Sequence, residues 1–339
     1  MWAQPKGAQV TLFTMSTEAK RSKWQAIVSE SLYPVLGLEL RTNGSSLARL
    51  WAVARYELTW DLRKKRTYIA VGLFLFAAFV FGYLWPVIWG RSVTTAQLQV
   101  GVNFGSDLWW VAAVWIAFNY IASGLFPLFI GGFIAADSLA SEFDSGTIVP
   151  LLSQPVRRVD AYFGKFLAKA LLLLAVSILF TLLVLAGSEA SVGAQAHLEM
   201  LPLLVFAEFG AFLEFAALTF LIGSLSRSGA MVLGVLIAVF FVFIVTTGVL
   251  EFHFGFQESM LFLPVENANF LLGHVVPWYI VQPGGIMVVQ GYAIGIGSTP
   301  PVAVTVASAL QYALAGLAAT VAVPLVAGYS LFRRAEVKG

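Results

Sequence analysis

The chain has 339 residues, of which 59% are hydrophobic and only 11% charged, with a formal net charge of +2 and no cysteine. A soluble domain carries about a quarter of its residues as Asp, Glu, Lys or Arg, and a mean hydropathy of +0.84 says that lipid is the solvent for most of this surface. Disulfides and thiolate metal sites are excluded, and the charge is too small to favour nucleic acid.

Residues 1–45 are expected to form a cytoplasmic leader. Ser16, Thr17 and Glu18 offer a helix start, Pro34 or Gly37 a stop, and Asn43-Gly44-Ser45-Ser46 a turn. No early apolar run with a small-residue cleavage site follows Met1, so insertion is expected to depend on the first span. Over 46–66, Leu47, Leu50, Trp51, Ala54 and Leu58 recur at helical spacing among Arg49, Arg55 and Glu57, and Arg63-Lys64-Lys65-Arg66 closes the run. That pattern predicts an amphipathic helix in the membrane interface, its basic residues toward anionic lipid.

An all-α polytopic membrane domain is expected over 67–334, followed by a short tail at 335–339. A span takes roughly 20 apolar residues. Six such segments fall at about Thr67–Trp89, Leu108–Ala135, Phe163–Gly187, Leu201–Leu225, Gly229–Leu250 and Val302–Phe332. With both termini inside, 19 of the 20 Lys and Arg are cytoplasmic and Arg91 alone is outside. The positive-inside rule therefore sets an N-in, C-in orientation in the cell membrane. Glu251–Pro301 then lies outside without any Lys or Arg, yet is apolar and broken by Pro264, Pro277, Pro283 and Gly284-Gly285. Short re-entrant or interfacial helices, or a re-entrant hairpin dipping into the outer leaflet, buried against protein, are expected there.

The connection between the second and third spans is the most informative segment. Its acidic helical end carries Glu142 and Asp144, Gly146 stops that helix, and Thr147 is placed to cap a short one. Pro150 suits a first helical turn, Leu151 and Leu152 give an apolar side, and Gln154-Pro155 ends it. Arg157 and Arg158 follow, and Asp160 is expected to cap the helix that enters span three. The product is a compact helical knob tied to two spans, through which a docked partner can push both. A plain connecting loop is the alternative on pattern alone.

In their order, Glu142, Gly146-Thr147, Leu151-Leu152, Pro155, Arg157 and Gly164-Lys165 resemble the ABC-2-type exporter permeases. The stretch from Ala52 to Leu58 and the basic cluster ending at Arg66 resemble that family's amino-terminal interfacial helix. Gly223 to Ser228, with Ser226 and Arg227, is similar to its second cytoplasmic loop. The likeness covers about Leu47–Arg334, and departs from the family at the leader and at Val149-Pro150. It implies a six-span permease subunit of an ATP-driven exporter, paired with a second permease, the same or related. Two cytoplasmic ATP-binding subunits, holding ATP and Mg, would press on the Glu142–Asp160 knob. This chain has no Gly-x-x-x-x-Gly-Lys-Ser/Thr pattern, since Gly164-Lys165 precedes Phe166. No cofactor of its own and no enzymatic activity are expected.

Ionisable groups within spans are functional candidates, and Glu208 and Glu214 are such groups. Six residues apart, they point roughly 120° away from each other on a helix, so one can face a permease–permease seam and the other the bundle. A hydrogen-bonded packing role is the alternative reading. Asn119, on one face with Ser123, is a third polar candidate and reads first as helix packing. His197, His253 and His274, with Glu251 and Glu266, show no metal-ligand spacing, and no metal site is expected. Gly316 with Ala315, Ala318, Ala319 and Ala322 reads as a small-residue packing surface, and Pro324 as a kink. Competing readings are a non-transporting membrane scaffold and an integral-membrane enzyme. The enzyme reading lacks a Gly-x-Ser-x-Gly elbow or a His-Glu-x-x-His helix.

Overall fold

The computed structural model describes residues 45–84, 87–88, 125–136, 138–140, 157–191, 193–195, 198–226, 228–254, 258–264, 266–268, 271, 278–282, 285–289 and 306–334. Helix α1 spans Ser46–Asp61, its start capped by Ser45, whose hydroxyl accepts from the Ala48 amide. A break at Leu62–Lys64 separates it from α2, Lys65–Phe79, which runs on as a π-helical turn over Val80–Leu84. Helix α3 is a helical run over Leu125–Ala136 with a π turn at Leu128–Gly132. Then come α4, Arg158–Ser191; α5, Leu201–Leu225; α6, Gly229–Phe254; and α7, Val306–Arg334.

Among the described residues, five helices are long and apolar enough to cross a membrane: Thr67–Leu84, Arg158–Ser191, Leu201–Leu225, Gly229–Thr246 and Leu310–Arg334. The fourth expected span coincides with α5. Of the second expected span, only the part from Leu125 onward falls among the described residues.

One helix organises the bundle. In α5, 61% of the apolar stretch is buried against 17% in α6, and α5 packs on α3, α4, α6 and α7. Burying a helix on all sides requires one that is apolar all round, and between Leu201 and Leu225 only Glu208 and Glu214 are charged. The core forms where Phe74 of α2 stacks on Phe180 of α4, with ring centroids 4.2 Å apart, and meets Phe212 of α5 edge-on at 5.4 Å. Tyr162 of α4 makes a second aromatic cluster with Phe220 of α5 and with Tyr329 and Phe332 of α7.

The segment after α6 differs in part from the expected short helices. A 3-10 helix forms at Glu258–Phe262 and packs on α7. Gly316 makes this possible, because a Cβ there would lie 1.9 Å from the Leu261 carbonyl oxygen. Ala315, Ala318 and Ala322, grouped with Gly316 by sequence, are instead exposed. Further on, β1 (Trp278–Gln282) and β2 (Gly285–Val289) pair antiparallel, with Trp278 opposite Val289 and Gln282 opposite Gly285. Their aromatic and β-branched residues favour strand, and Pro277 and Pro283 interrupt any helix. Among the described residues this two-stranded pairing is the only one in an otherwise helical chain. Pro324 sits within α7, which continues to Arg334.

Candidate functional site

Of the expected Glu142–Asp160 knob, only residues 157–160 at its exit are described. Glu142, Asp144, Gly146, Thr147, Leu151, Leu152 and Pro155 lie outside the described residues, as do Arg227 and Asn119. Ala140, on the entry side, is fully buried against α5 and α6 in a cluster with Ile222 and Val232. Gly223 of α5 lies beside Leu139 and Ala140. Ser226, at the end of α5, is buried, and its hydroxyl accepts from the Ser228 amide at 3.2 Å. The second expected loop and the entry to the knob therefore meet at one end of the bundle.

The exit side is pinned in two directions. Arg157 is exposed and immediately precedes α4. Arg158 donates from Nη1 to the Arg333 carbonyl of α7 at 2.6 Å. Asp160 was expected to cap α4, but it lies inside the first turn, because the helix starts at Arg158. Its carboxylate instead accepts from Ser46 Oγ at 2.8 Å and from Arg49 Nε at 2.9 Å, both in α1. Asp160 and Arg49 are largely removed from solvent, so loss of either would leave the other largely buried without its counter-charge.

Helix α1 follows α4 for about three turns. Lys165 Nζ donates to Glu57 Oε2 at 2.7 Å, and Lys169 Nζ lies 3.2 Å from Glu57 Oε1 and also donates to Asp61. Lys64 reaches the other Asp61 oxygen at 3.0 Å. Ser138, beyond α3, donates to Glu57 at 3.5 Å. Glu57, Asp61, Lys165 and Lys169 are all buried. Burial raises the Glu57 pKa, but the ammoniums of Lys165, Lys169 and Lys64 outweigh it and hold this carboxyl well below the usual carboxylate range. Gly164 permits the close approach: a Cβ there would lie 2.8 Å from Val53 Cβ and 2.9 Å from the Leu50 carbonyl oxygen.

Helix α1 thus has a second, protein-facing side. Glu57 and Asp61 are turned onto α4 and paired there, while Leu47, Trp51 and Arg55 make the exposed face. The sequence carried a signal for it. Glu57 and Asp61 are four residues apart, as are Lys165 and Lys169, so each pair lies on one helix face.

Glu208 and Glu214 are both fully buried inside the protomer, so neither lies on an exposed seam. They diverge as their spacing requires. Thr181 of α4 donates to Glu208 Oε2 at 2.9 Å. Glu214 accepts from Asn267 Nδ2 at 2.6 Å and from the Thr320 hydroxyl of α7. The two carboxyls thus bind α5 to different neighbours. His253 contacts the Val249 carbonyl at 3.1 Å, and His197 and His274 lie outside the described residues. Among the described residues no group of three or more His, Cys, Asp or Glu is arranged to hold a metal ion.

The amino-acid sequence that builds this bundle matches a known family. The model of the ABC-2 family transporter proteins covers residues 51–337. The chain belongs to the ABC-2 transporter family. A probable ABC transporter permease protein, NosY, of Pseudomonas aeruginosa is 29% identical to it over 307 residues, 85% of this chain and 99% of that protein. The match begins at Trp51, within α1, and so takes in most of that helix. The ABC-2 chain is a multi-pass membrane protein and a transmembrane subunit of an ABC transporter.

Proposed function

We propose that this ABC-2 subunit works in an ATP-driven exporter, with ATP and Mg held by two copies of a separate ATP-binding subunit and with a second permease, identical or related, completing the path. The ATP-binding subunits press on the segment between Ala140 and Arg157. Both termini are cytoplasmic, and the exposed face of α1 meets headgroup lipid. One observation supports this reading above others: the exit of that segment is tied at once to α1, through Asp160 with Ser46 and Arg49, and to α7, through Arg158 with the Arg333 carbonyl. A push there reaches several helices together. The basic residues at this end agree with a cytoplasmic location, and outward transport follows from the resemblance to exporter permeases.

Coexpression with a candidate ABC ATP-binding subunit from the same organism tests the reading. The expected result is a stable membrane complex in which ATP hydrolysis depends on both chains. Failure of the two to copurify under conditions where each is folded would refute it.

A further inference from the structure

Three polar contacts join α1 to α4 in register along both helices: Arg49 with Asp160, Glu57 with Lys165, and Asp61 with Lys169. Both numbers rise together, so the helices run in the same direction. Helix α4 has 34 residues, about 51 Å at 1.5 Å per residue, against a hydrocarbon layer of about 30 Å. Its uncharged stretch, Ala170–Gly187, is about 27 Å long by the same rise and is sufficient to cross. Residues 158–169, which carry every charge that faces α1, are then an extension beyond the hydrocarbon. Helix α1 lies along that extension, with Gly164 at the closest approach.

We propose that Glu57, Asp61, Lys165 and Lys169 are positioning residues that make α1 and residues 158–169 of α4 one rigid arm. The arm receives force at Arg157 and delivers it to two spans. It is continuous with α4, and it is joined to α2 through the three-residue break Leu62–Lys64, across which Lys64 is itself bonded to Asp61. A buried ion pair is poor at raising net stability but strong at fixing one arrangement, since separating the partners exposes each to an apolar surround. The two acids and two lysines balance in charge, and each contact fixes one point of α1 against α4. This role rests on the proposed function only for the source of the force; the rigidity belongs to the chain alone.

The chain has no cysteine, so introduced cysteines can carry spin labels at chosen sites. Arg55→Cys with Ile178→Cys reports α1 against α4; Ile178→Cys with Val323→Cys reports α4 against α7. All three positions are exposed. Distances are measured on the full chain in phosphatidylethanolamine–phosphatidylglycerol vesicles, alone and in complex with its ATP-binding subunit plus ATP and vanadate. The first distance is expected to be single, narrow and unchanged by nucleotide, while the second shifts. The variant Glu57→Gln, Asp61→Asn, Lys165→Met, Lys169→Met removes two charges of each sign. It is expected to widen or split the first distance in the chain alone, whereas Lys165→Arg keeps it narrow. A first distance that shifts with nucleotide as much as the second, or that stays narrow in the fourfold variant, overturns the arm. Absence of complex formation would count against the proposed function, and the chain-alone measurement would still decide the arm.

Discussion

Lys165 and Glu57, 108 residues apart in sequence, are joined by a 2.7 Å hydrogen bond with both side chains almost wholly removed from solvent. The lysine enters this contact because its neighbour Gly164 lets α1 come near enough for the ammonium to reach. A pair so buried punishes the loss of one partner more than the loss of both. Lys165→Met is therefore expected to cost about 3–5 kcal/mol, read as a lowered Tm in detergent. Adding Glu57→Gln should recover part of that loss. Equal Tm values for the single variant and the unaltered chain would contradict the buried pair.

The same carboxyl gives a pH signature. Its folded pKa lies below its unfolded value of about 4.3. Its stabilising contribution is then fully present above that unfolded value and is lost as pH falls toward the folded one. The Tm gap between the unaltered chain and Glu57→Gln should hold steady from about pH 8 to about pH 5 and narrow below about pH 4. A gap that opens on acidification would have the wrong sign.

Glycines separate packing from helix propensity. At Gly164 an added Cβ meets Val53 and the Leu50 carbonyl within 3 Å, whereas at Gly72 nothing lies within 4 Å. Gly164→Ala should destabilise by about 1–3 kcal/mol through overpacking. Gly72→Ala should be neutral or stabilising by up to about 1 kcal/mol. Thermal unfolding of the two purified variants compares them directly.

The buried carboxyls of α5 should respond locally. Thr181→Val removes the donor to Glu208 and is expected to cost about 1–3 kcal/mol. The Thr181→Val, Glu208→Leu double variant should cost less than the sum of its parts. Strict additivity would mean that the hydrogen bond carries no weight.

Much of this was legible in the residues. The apolar run Leu201–Leu225 gives α5 with matching bounds, because nothing but its two glutamates interrupts it. The spacing of Glu208 and Glu214 turns them to different neighbours, but it does not single out Thr181, Asn267 or Thr320. Helix α4 begins at Arg158, just ahead of the expected Asp160 cap, and its Lys165 and Lys169, which read as markers of a span's end, are matched by acids on α1. Reading lysines only as topology signals hid that pairing, and Asp61 went unnoticed beside the basic cluster that follows it. A re-entrant hairpin is among the expectations for Glu251–Pro301, but the β pairing of Trp278–Gln282 with Gly285–Val289 is set by contact rather than by pattern.

The account turns on where the ATP-binding subunit touches this chain. Single cysteines at Ser153 and Arg157, and at Leu198 on the far side of the bundle, can each be cross-linked in membranes that also hold the ATP-binding protein. Adducts from Ser153 and Arg157, weakened when Gly146 and Thr147 are replaced by bulky charged residues in a chain that still inserts, are the predicted result. Adducts from Leu198 with none from Ser153 or Arg157 would contradict it.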